Sequence, residues 1–94
     1  MILEKDIESY LKGKVEKYGG VYLKFTSPGN SGVPDRLVIL RRRTIYVELK
    51  RPGETLRPKQ EYWAKKLQGL GHTVYTIDSK SQVDCFIKNE VLRK

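Results

Sequence analysis

The stretch that decides the fold is GVPDRLVILRRRTIYVELKRPG, residues 32–53. It holds two runs rich in β-branched and aliphatic residues, Asp35–Arg41 and Thr44–Lys50, separated only by Arg42 and Arg43. Runs of this composition predict strands, and so short a connection predicts an antiparallel hairpin. We expect this hairpin to form the centre of a sheet.

Further elements are predicted on both sides of the hairpin. Apolar residues recur every three or four positions from Leu3 to Tyr18, which predicts an amphipathic helix that ends before a glycine pair. A proline after the hairpin suits the first turn of a second helix. The other predicted elements are a strand at Val21–Phe25, a loop at Thr26–Pro34, a helix from Pro58 to about Leu67, a strand at His72–Ile77 and a helix from Ser79 or Ser81 to Val91.

The order of elements predicts a single α/β domain that spans residues 1–94, because a chain of 94 residues leaves no room for a second folding unit. A strand, a helix and a strand between Thr44 and Ile77 predict a right-handed crossover with parallel strands, and hence a mixed sheet. One cysteine, Cys85, excludes an intramolecular disulfide. Short apolar runs and an acidic N-terminal segment indicate a soluble, cytoplasmic protein with no membrane partner.

The charge of the chain predicts a polyanionic partner. There are 19 Lys and Arg residues against 11 Asp and Glu residues, a net charge of +8, and most of the excess lies between Arg36 and Lys66. A clustered positive excess is typical of proteins that bind nucleic acid. The residues expected to contact nucleic acid are the basic residues Arg36, Arg41, Arg42, Arg43, Arg51, Arg57 and Lys59, with Ser27, Asn30 and Ser31 of the loop.

Two acidic residues of the hairpin, Asp35 and Glu48, are predicted to share one face with Lys50, because alternate strand residues point the same way. The predicted turn makes Asp35 and Glu48 diagonal neighbours, ~7 to 8 Å apart. Two carboxylates so placed can converge on Mg²⁺, which takes one or two carboxylates and keeps several waters. The carbonyl of Leu49 can add a ligand, and Lys50 can orient a water or pair with a phosphate.

Other chemistries have less support. The glycine-rich loop lacks the Gly-Lys-Ser/Thr ending of a phosphate-binding P-loop, so no nucleotide cofactor is expected, and ligands for zinc are too few. Charged residues on a solvated strand are common, however. The same pattern therefore also fits a non-catalytic basic module that binds nucleic acid, or a nuclease that acts on RNA.

Four segments, GVPDRLVIL, YVELKRPG, RPKQEYW and LGHTVYTIDS, resemble the stand-alone virus-type replication-repair nuclease (VRR-NUC) family, a branch of the PD-(D/E)XK nucleases. The resemblance covers nearly the whole chain. It implies a restriction-endonuclease-like αβββαβ core with a C-terminal helix. It also implies a bacterial or phage endodeoxyribonuclease that uses Mg²⁺ or Mn²⁺ and cuts branched DNA, such as four-way (Holliday) junctions, as a homodimer.

The resemblance also implies roles for single residues. Asp35 and Glu48 match the metal-binding carboxylates, Lys50 matches the catalytic lysine, and Gln60 matches a glutamine that supports the active site from the following helix.

The family further places a glutamate of the first helix near the metal-bound water. Glu4 and Glu8 both qualify, because they lie one turn apart on the same helix face. Glu8 fits the spacing of the wider superfamily slightly better, and Glu4 fits the usual start of the family. The sequence leaves both open.

Overall fold

The computed structural model describes residues 2–93, which form a four-stranded sheet flanked by helices. The predicted fold class and order of elements are confirmed. Met1 and Lys94 of the predicted domain lie outside the described residues. Within residues 2–93 no helix is long and apolar enough to cross a membrane. The elements are α1 (Glu4–Lys17), β1 (Val21–Lys24), β2 (Arg36–Leu40), β3 (Arg43–Leu49), α2 (Pro58–Gly69), β4 (Val74–Ile77) and α3 (Lys80–Phe86), which continues into a π-helical segment, Ile87–Val91.

The sheet is mixed, with the spatial order β1-β2-β3-β4. The pairs β1–β2 and β2–β3 are antiparallel, and β3 and β4 are parallel. The predicted parallel pairing and mixed sheet are therefore confirmed, and α2 is the helix that connects β3 to β4.

The hydrophobic core lies between the sheet, α1 and α3. Residues of α1 that are four positions apart point into the core, because they lie on one face of the helix. Every second residue of the central strands β2 and β3 also points into the core, because side chains alternate between the two faces of a strand. Helix α2 packs against β4 and buries only Ala64, which is not part of that core. The fully buried residues of the core are Ile7, Leu11, Val15, Val38, Ile45, Val47, Ile77, Val83 and Phe86.

The hairpin turn lies one residue earlier than predicted. Leu40 pairs with Arg43, so that Arg41 and Arg42 form the turn and the predicted turn at Arg42 and Arg43 is wrong. Moving the turn by one residue shifts the pairing of the two strands by two. Because side chains alternate with a period of two, every residue keeps the face that the sequence predicted for it.

A long-range ion pair explains why Arg43 belongs to β3 instead of the turn. Its guanidinium donates to the carboxylate and the backbone carbonyl of Glu90, 47 residues further along the chain. The hydroxyl of Tyr75 donates to the same carboxylate at 2.6 Å. Arg42 consequently occupies the turn with a φ of 64°, a conformation that residues other than glycine rarely adopt.

Candidate active site

The strand register brings Asp35 directly opposite Glu48. Arg36 is paired with Val47, and continuing this pairing by one residue places Asp35 across from Glu48. The backbone N–H of Phe25 donates to the carbonyl of Asp35 at 2.8 Å, which extends the β1–β2 ladder to this position. Opposite residues on one face have Cβ atoms ~4.5 to 5.5 Å apart. The side chains of Asp35 and Glu48 are therefore closer together than they would be in the diagonal arrangement that the sequence predicted.

The site has a buried side and an open side. Glu48 on β3 and Lys50, the first residue after β3, are only 6% and 7% exposed, whereas the side chain of Asp35 is 51% exposed. The backbone N–H of Lys50 donates to the carbonyl of Ile77 at 2.9 Å, so this residue is held by the β3–β4 ladder. Neither Glu48 nor Lys50 takes part in the ion pairs formed within residues 2–93.

Burial and a neighbouring negative charge raise the pKa of Glu48 to about 7. Desolvation is the larger cause and the charge of Asp35 the second, while Lys50 and Arg36 act in the opposite direction. The carboxyl group of Glu48 therefore loses its proton near neutral pH. A cation placed between Asp35 and Glu48 would favour the ionised form of both.

The structure separates Glu4 from Glu8. The charge of Glu4, in the first turn of α1, contributes to the raised pKa of Glu48. Glu8 lies one turn further on and its carboxylate accepts hydrogen bonds from Tyr22 and Arg36 on the core side of the sheet. Of the two, Glu4 is the one whose charge raises the pKa of Glu48.

Arg36 is not an exposed cation, which corrects the expectation that it contacts nucleic acid. Its side chain is 11% exposed and lies between two carboxylates, with Nε 2.7 Å from Glu8 Oε2 and Nη1 2.9 Å from Asp35 Oδ2. Burial lowers the pKa of Arg36, but these partners outweigh that effect and raise it above its usual value. The guanidinium is therefore a permanent positive charge beside Asp35.

Gln60 performs a local structural task. Its Oε1 accepts a hydrogen bond from the backbone N–H of Arg57 at 2.9 Å, which satisfies a free donor at the start of α2. The same helix start packs closely against the glycine-rich loop. A Cβ atom on Gly32 would lie 2.7 Å from the carbonyl carbon of Lys59, so only glycine fits there.

Exposed basic residues lie after Lys50 and at the start of α2. Arg57 and Lys59 line a hollow of about 460 Å³ together with Ser31 and Gly32 of the loop. Arg51 lies two residues after the end of β3, and its side chain is 67% exposed although it pairs with Glu54. In the same loop the side chain of Asn30 donates to the hydroxyl of Ser27 at 3.2 Å.

A second basic group lies at the other end of the hairpin. Arg41 and Arg42 are exposed at the turn, five strand residues from the carboxylates, which corresponds to ~17 Å along β2. Arg43 is paired with Glu90, so the prediction that it contacts nucleic acid is not supported by its surroundings.

The donor set suits Mg²⁺ or Mn²⁺ better than zinc. Residues 2–93 contain no group of three or more His, Cys, Asp and Glu side chains arranged to hold a metal. Hard divalent cations such as Mg²⁺ need only one or two carboxylates, since water and carbonyl oxygens complete the shell. Asp35 and Glu48 provide such carboxylates, and the carbonyl of Leu49 lies between Glu48 and Lys50 in the chain.

Known proteins that are similar to this chain include two that match most of its length. No family model matches the sequence. A protein named "Putative nuclease p44", from Acyrthosiphon pisum secondary endosymbiont phage 1, is 47% identical over 81 residues, which is 85% of this chain and 87% of that protein. A solved structure described as "VRR_NUC domain" is similar with a TM-score of 0.85 and 30% identity, covering 93% of this chain and 96% of that one.

Proposed function

Because this chain belongs to the VRR-NUC family of nucleases, we propose that it is a metal-dependent endonuclease that hydrolyses phosphodiester bonds in DNA. The observation that carries the proposal is that the strand register, extended by one residue, places Asp35 across from Glu48, and that the charges of Asp35 and Lys50 both act on Glu48. These residues form the PD…EXK pattern of the PD-(D/E)XK nucleases. The relative is a phage protein, and we expect this nuclease to act in the cytoplasm.

The two paired carboxylates are the proposed ligands of Mg²⁺ or Mn²⁺, with the carbonyl of Leu49 as a third donor. Such an ion, when bound, lowers the pKa of a bound water and offsets charge on the phosphate. Lys50 is buried on the same face and keeps its ammonium group close to Glu48, where it can orient the attacking water or pair with a phosphate oxygen. Glu4 adds a further negative charge near Glu48, and its carboxylate can accept a hydrogen bond from that water.

The proposed DNA-binding surface consists of the exposed basic residues. Arg51 follows Lys50 in the chain, and Arg57 and Lys59 lie at the start of α2, where Lys59 is close to Gly32 of the loop before Asp35. Backbone phosphates are the natural partners of such side chains. The second basic group, Arg41 and Arg42, is far enough away to contact a different stretch of duplex. Two separated groups favour a branched substrate, such as a four-way junction, over a single linear duplex.

A homodimer is proposed because the sheet has an uncovered apolar area. Val21 and Leu23 of β1 and Ile39 of β2 are 48%, 44% and 36% exposed, and they share the sheet face that the core helices leave free. Strand β1 is also an edge strand. A symmetric dimer is the commonest kind of oligomer, and this apolar area could pair with the same area of a second copy. The dimer would have two active sites, one for each of two DNA strands.

A cleavage assay on defined substrates tests the proposal. Wild-type protein is incubated with four-way junction, flap and linear DNA, and with the matching RNA, in Mg²⁺, Mn²⁺ or EDTA. We expect the junction to be cut only in the presence of metal. Asp35→Asn and Lys50→Ala should each reduce the rate by about 10² to 10³ or more, because each removes a group that acts on the reacting phosphate.

Two exposed residues provide matched controls for this assay. Asp84→Asn and Lys65→Ala make the same chemical changes away from the site and should cut at the wild-type rate. If wild-type protein binds DNA but never cuts it, a non-catalytic binding module is the better description. If Asp35→Asn and Lys50→Ala cut as fast as the controls, the enzyme uses a different site. Light scattering coupled to size-exclusion chromatography measures the oligomeric state.

A further inference from the structure

Glu8, Tyr22 and Arg36 form a closed hydrogen-bonded group from three different elements. The hydroxyl of Tyr22 donates to Glu8 Oε2 at 2.5 Å, and Arg36 Nε lies 2.7 Å from that oxygen and 2.7 Å from the hydroxyl of Tyr22. The residues belong to α1, β1 and β2. A group that joins three elements holds each of its side chains in one orientation.

The group is mostly buried, and it contains two charged side chains, Arg36 and Glu8. The side chains of Arg36 and Glu8 are only 11% and 22% exposed. Burial would raise the pKa of Glu8, but the hydrogen bonds from Tyr22 and Arg36 more than offset it, so that the pKa is lowered and the carboxylate stays ionised. A buried ion pair of this kind is costly to break, because removal of one partner leaves the other charge uncompensated.

Arg36 extends the group to Asp35. Its Nη1 lies 2.9 Å from Asp35 Oδ2 and 3.2 Å from the carbonyl oxygen of the same residue. The guanidinium thus fixes one carboxylate oxygen and the backbone of Asp35, and the other carboxylate oxygen remains available on the open side of the site. Glu8 itself faces the core side of the sheet with Arg36, whereas Asp35 and Glu48 face the other side.

We propose that Glu8 and Tyr22 are positioning residues that act through Arg36 to orient Asp35 towards a divalent cation, and that Glu8 is not itself a ligand of the cation or its water. This inference rests on the proposed function, since it assumes that Asp35 binds the cation. Residues that orient a metal ligand typically change metal affinity by 10- to 100-fold when they are removed.

A double-mutant cycle on Mn²⁺ affinity, measured by titration calorimetry in the absence of DNA, tests the inference. Glu8→Gln and Arg36→Lys should each weaken Mn²⁺ binding by about tenfold or more. The double variant should bind no more weakly than the weaker single variant, because Glu8 acts only through Arg36. If Glu8 is a direct ligand, Glu8→Gln weakens binding by the same factor in both backgrounds, and the inference is wrong.

The chain contains a matched control at the far end of the sheet. Glu90 likewise binds an arginine, Arg43, and a tyrosine, Tyr75, and its carboxylate also lies 3.6 Å from the guanidinium of the exposed Arg93. Glu90→Gln should lower the melting temperature as Glu8→Gln does, yet leave Mn²⁺ affinity unchanged. If Glu90→Gln weakens Mn²⁺ binding equally, the role of Glu8 is only structural.

Two further variants keep the test decisive. Tyr22→Phe retains the shape of the side chain and should weaken Mn²⁺ binding even if Arg36→Lys does not fold; unchanged affinity in Tyr22→Phe contradicts the inference. Asp35→Asn should abolish binding. If wild-type protein binds Mn²⁺ and Asp35→Asn binds it equally, the proposed function fails as well. If Asp35→Asn loses binding but Glu8→Gln and Tyr22→Phe do not, only the positioning inference fails.

Discussion

The carboxyl group of Glu48 should lower the stability of the protein at neutral pH when no metal is bound. Its pKa is raised from 4.5 to about 7 by burial and by the charge of Asp35. Each tenfold change in proton affinity changes the free energy of unfolding by about 1.4 kcal/mol, so the raised pKa of Glu48 destabilises the folded protein by about 3 kcal/mol at most. Screening by the water that reaches the open side of the site reduces this to about 2 kcal/mol. Glu48→Gln removes the charge but keeps the shape of the side chain, so it should raise the free energy of unfolding at neutral pH by that amount.

The sign of the effect follows from proton binding. Between pH 4.5 and about 7 the folded state holds the proton of Glu48 more tightly than the unfolded state, so wild-type stability falls as the pH rises through this range. The advantage of Glu48→Gln should therefore be absent below pH 4.5 and complete above pH 7. In a domain of 94 residues, about 2 kcal/mol corresponds to a rise of ~10 °C in melting temperature.

Urea denaturation at pH 4.5 and pH 8, with EDTA present, measures this difference. Glu16→Gln changes an exposed glutamate at the other end of α1 and should alter stability by less than about 0.5 kcal/mol at both pH values. Addition of Mg²⁺ should stabilise wild-type protein and not Glu48→Gln, because binding to the folded state is linked to stability. If Glu48→Gln is no more stable than wild type at pH 8, Glu48 does not carry the buried, unfavourable charge that we describe.

Three further changes test the surroundings of the site. Arg42→Gly should raise the free energy of unfolding by about 0.5 to 1 kcal/mol in urea denaturation, since φ is 64° at this position, and an unchanged or lower value would contradict the strained turn. Gly32→Ala should destabilise the folded protein by about 2 kcal/mol or more, because φ is 94° and the new Cβ would lie 2.7 Å from the carbonyl of Lys59. The same variant should cut the junction more slowly, and cleavage at the wild-type rate would show that the loop is free to move. Ser79→Ala should lower the melting temperature by an amount equivalent to about 1 kcal/mol, since its hydroxyl accepts from the N–H of Gln82 at 3.1 Å at the start of α3.

The faces of the strands could be predicted because they depend only on local alternation. Asp35 and Glu48 keep a common face in any register that is shifted by an even number of residues, so the one-residue error in the predicted turn does not change the faces of these side chains. The turn itself could not be predicted from local residues. Its position depends on the contact of Arg43 with Glu90, 47 residues away, which no local pattern reveals.

The roles of the charged residues near Asp35 were harder to predict for a related reason. In the sequence, Arg36 is one more basic residue in a basic segment, and only the fold shows that Glu8 and Tyr22 enclose it. Glu4 and Glu8 lie on the same helix face, so their spacing could not distinguish them. The point at which α1 begins relative to the ends of β2 and β3 decides which of them acts on Glu48.

The most direct test of the cation site is the anomalous scattering of a crystal soaked with Mn²⁺. We expect a peak ~2 Å from a carboxylate oxygen of Asp35 and from one of Glu48, with Arg36 still bound to Glu8. A peak bound by Glu8, or no peak between Asp35 and Glu48 at an Mn²⁺ concentration that supports cleavage, would contradict it.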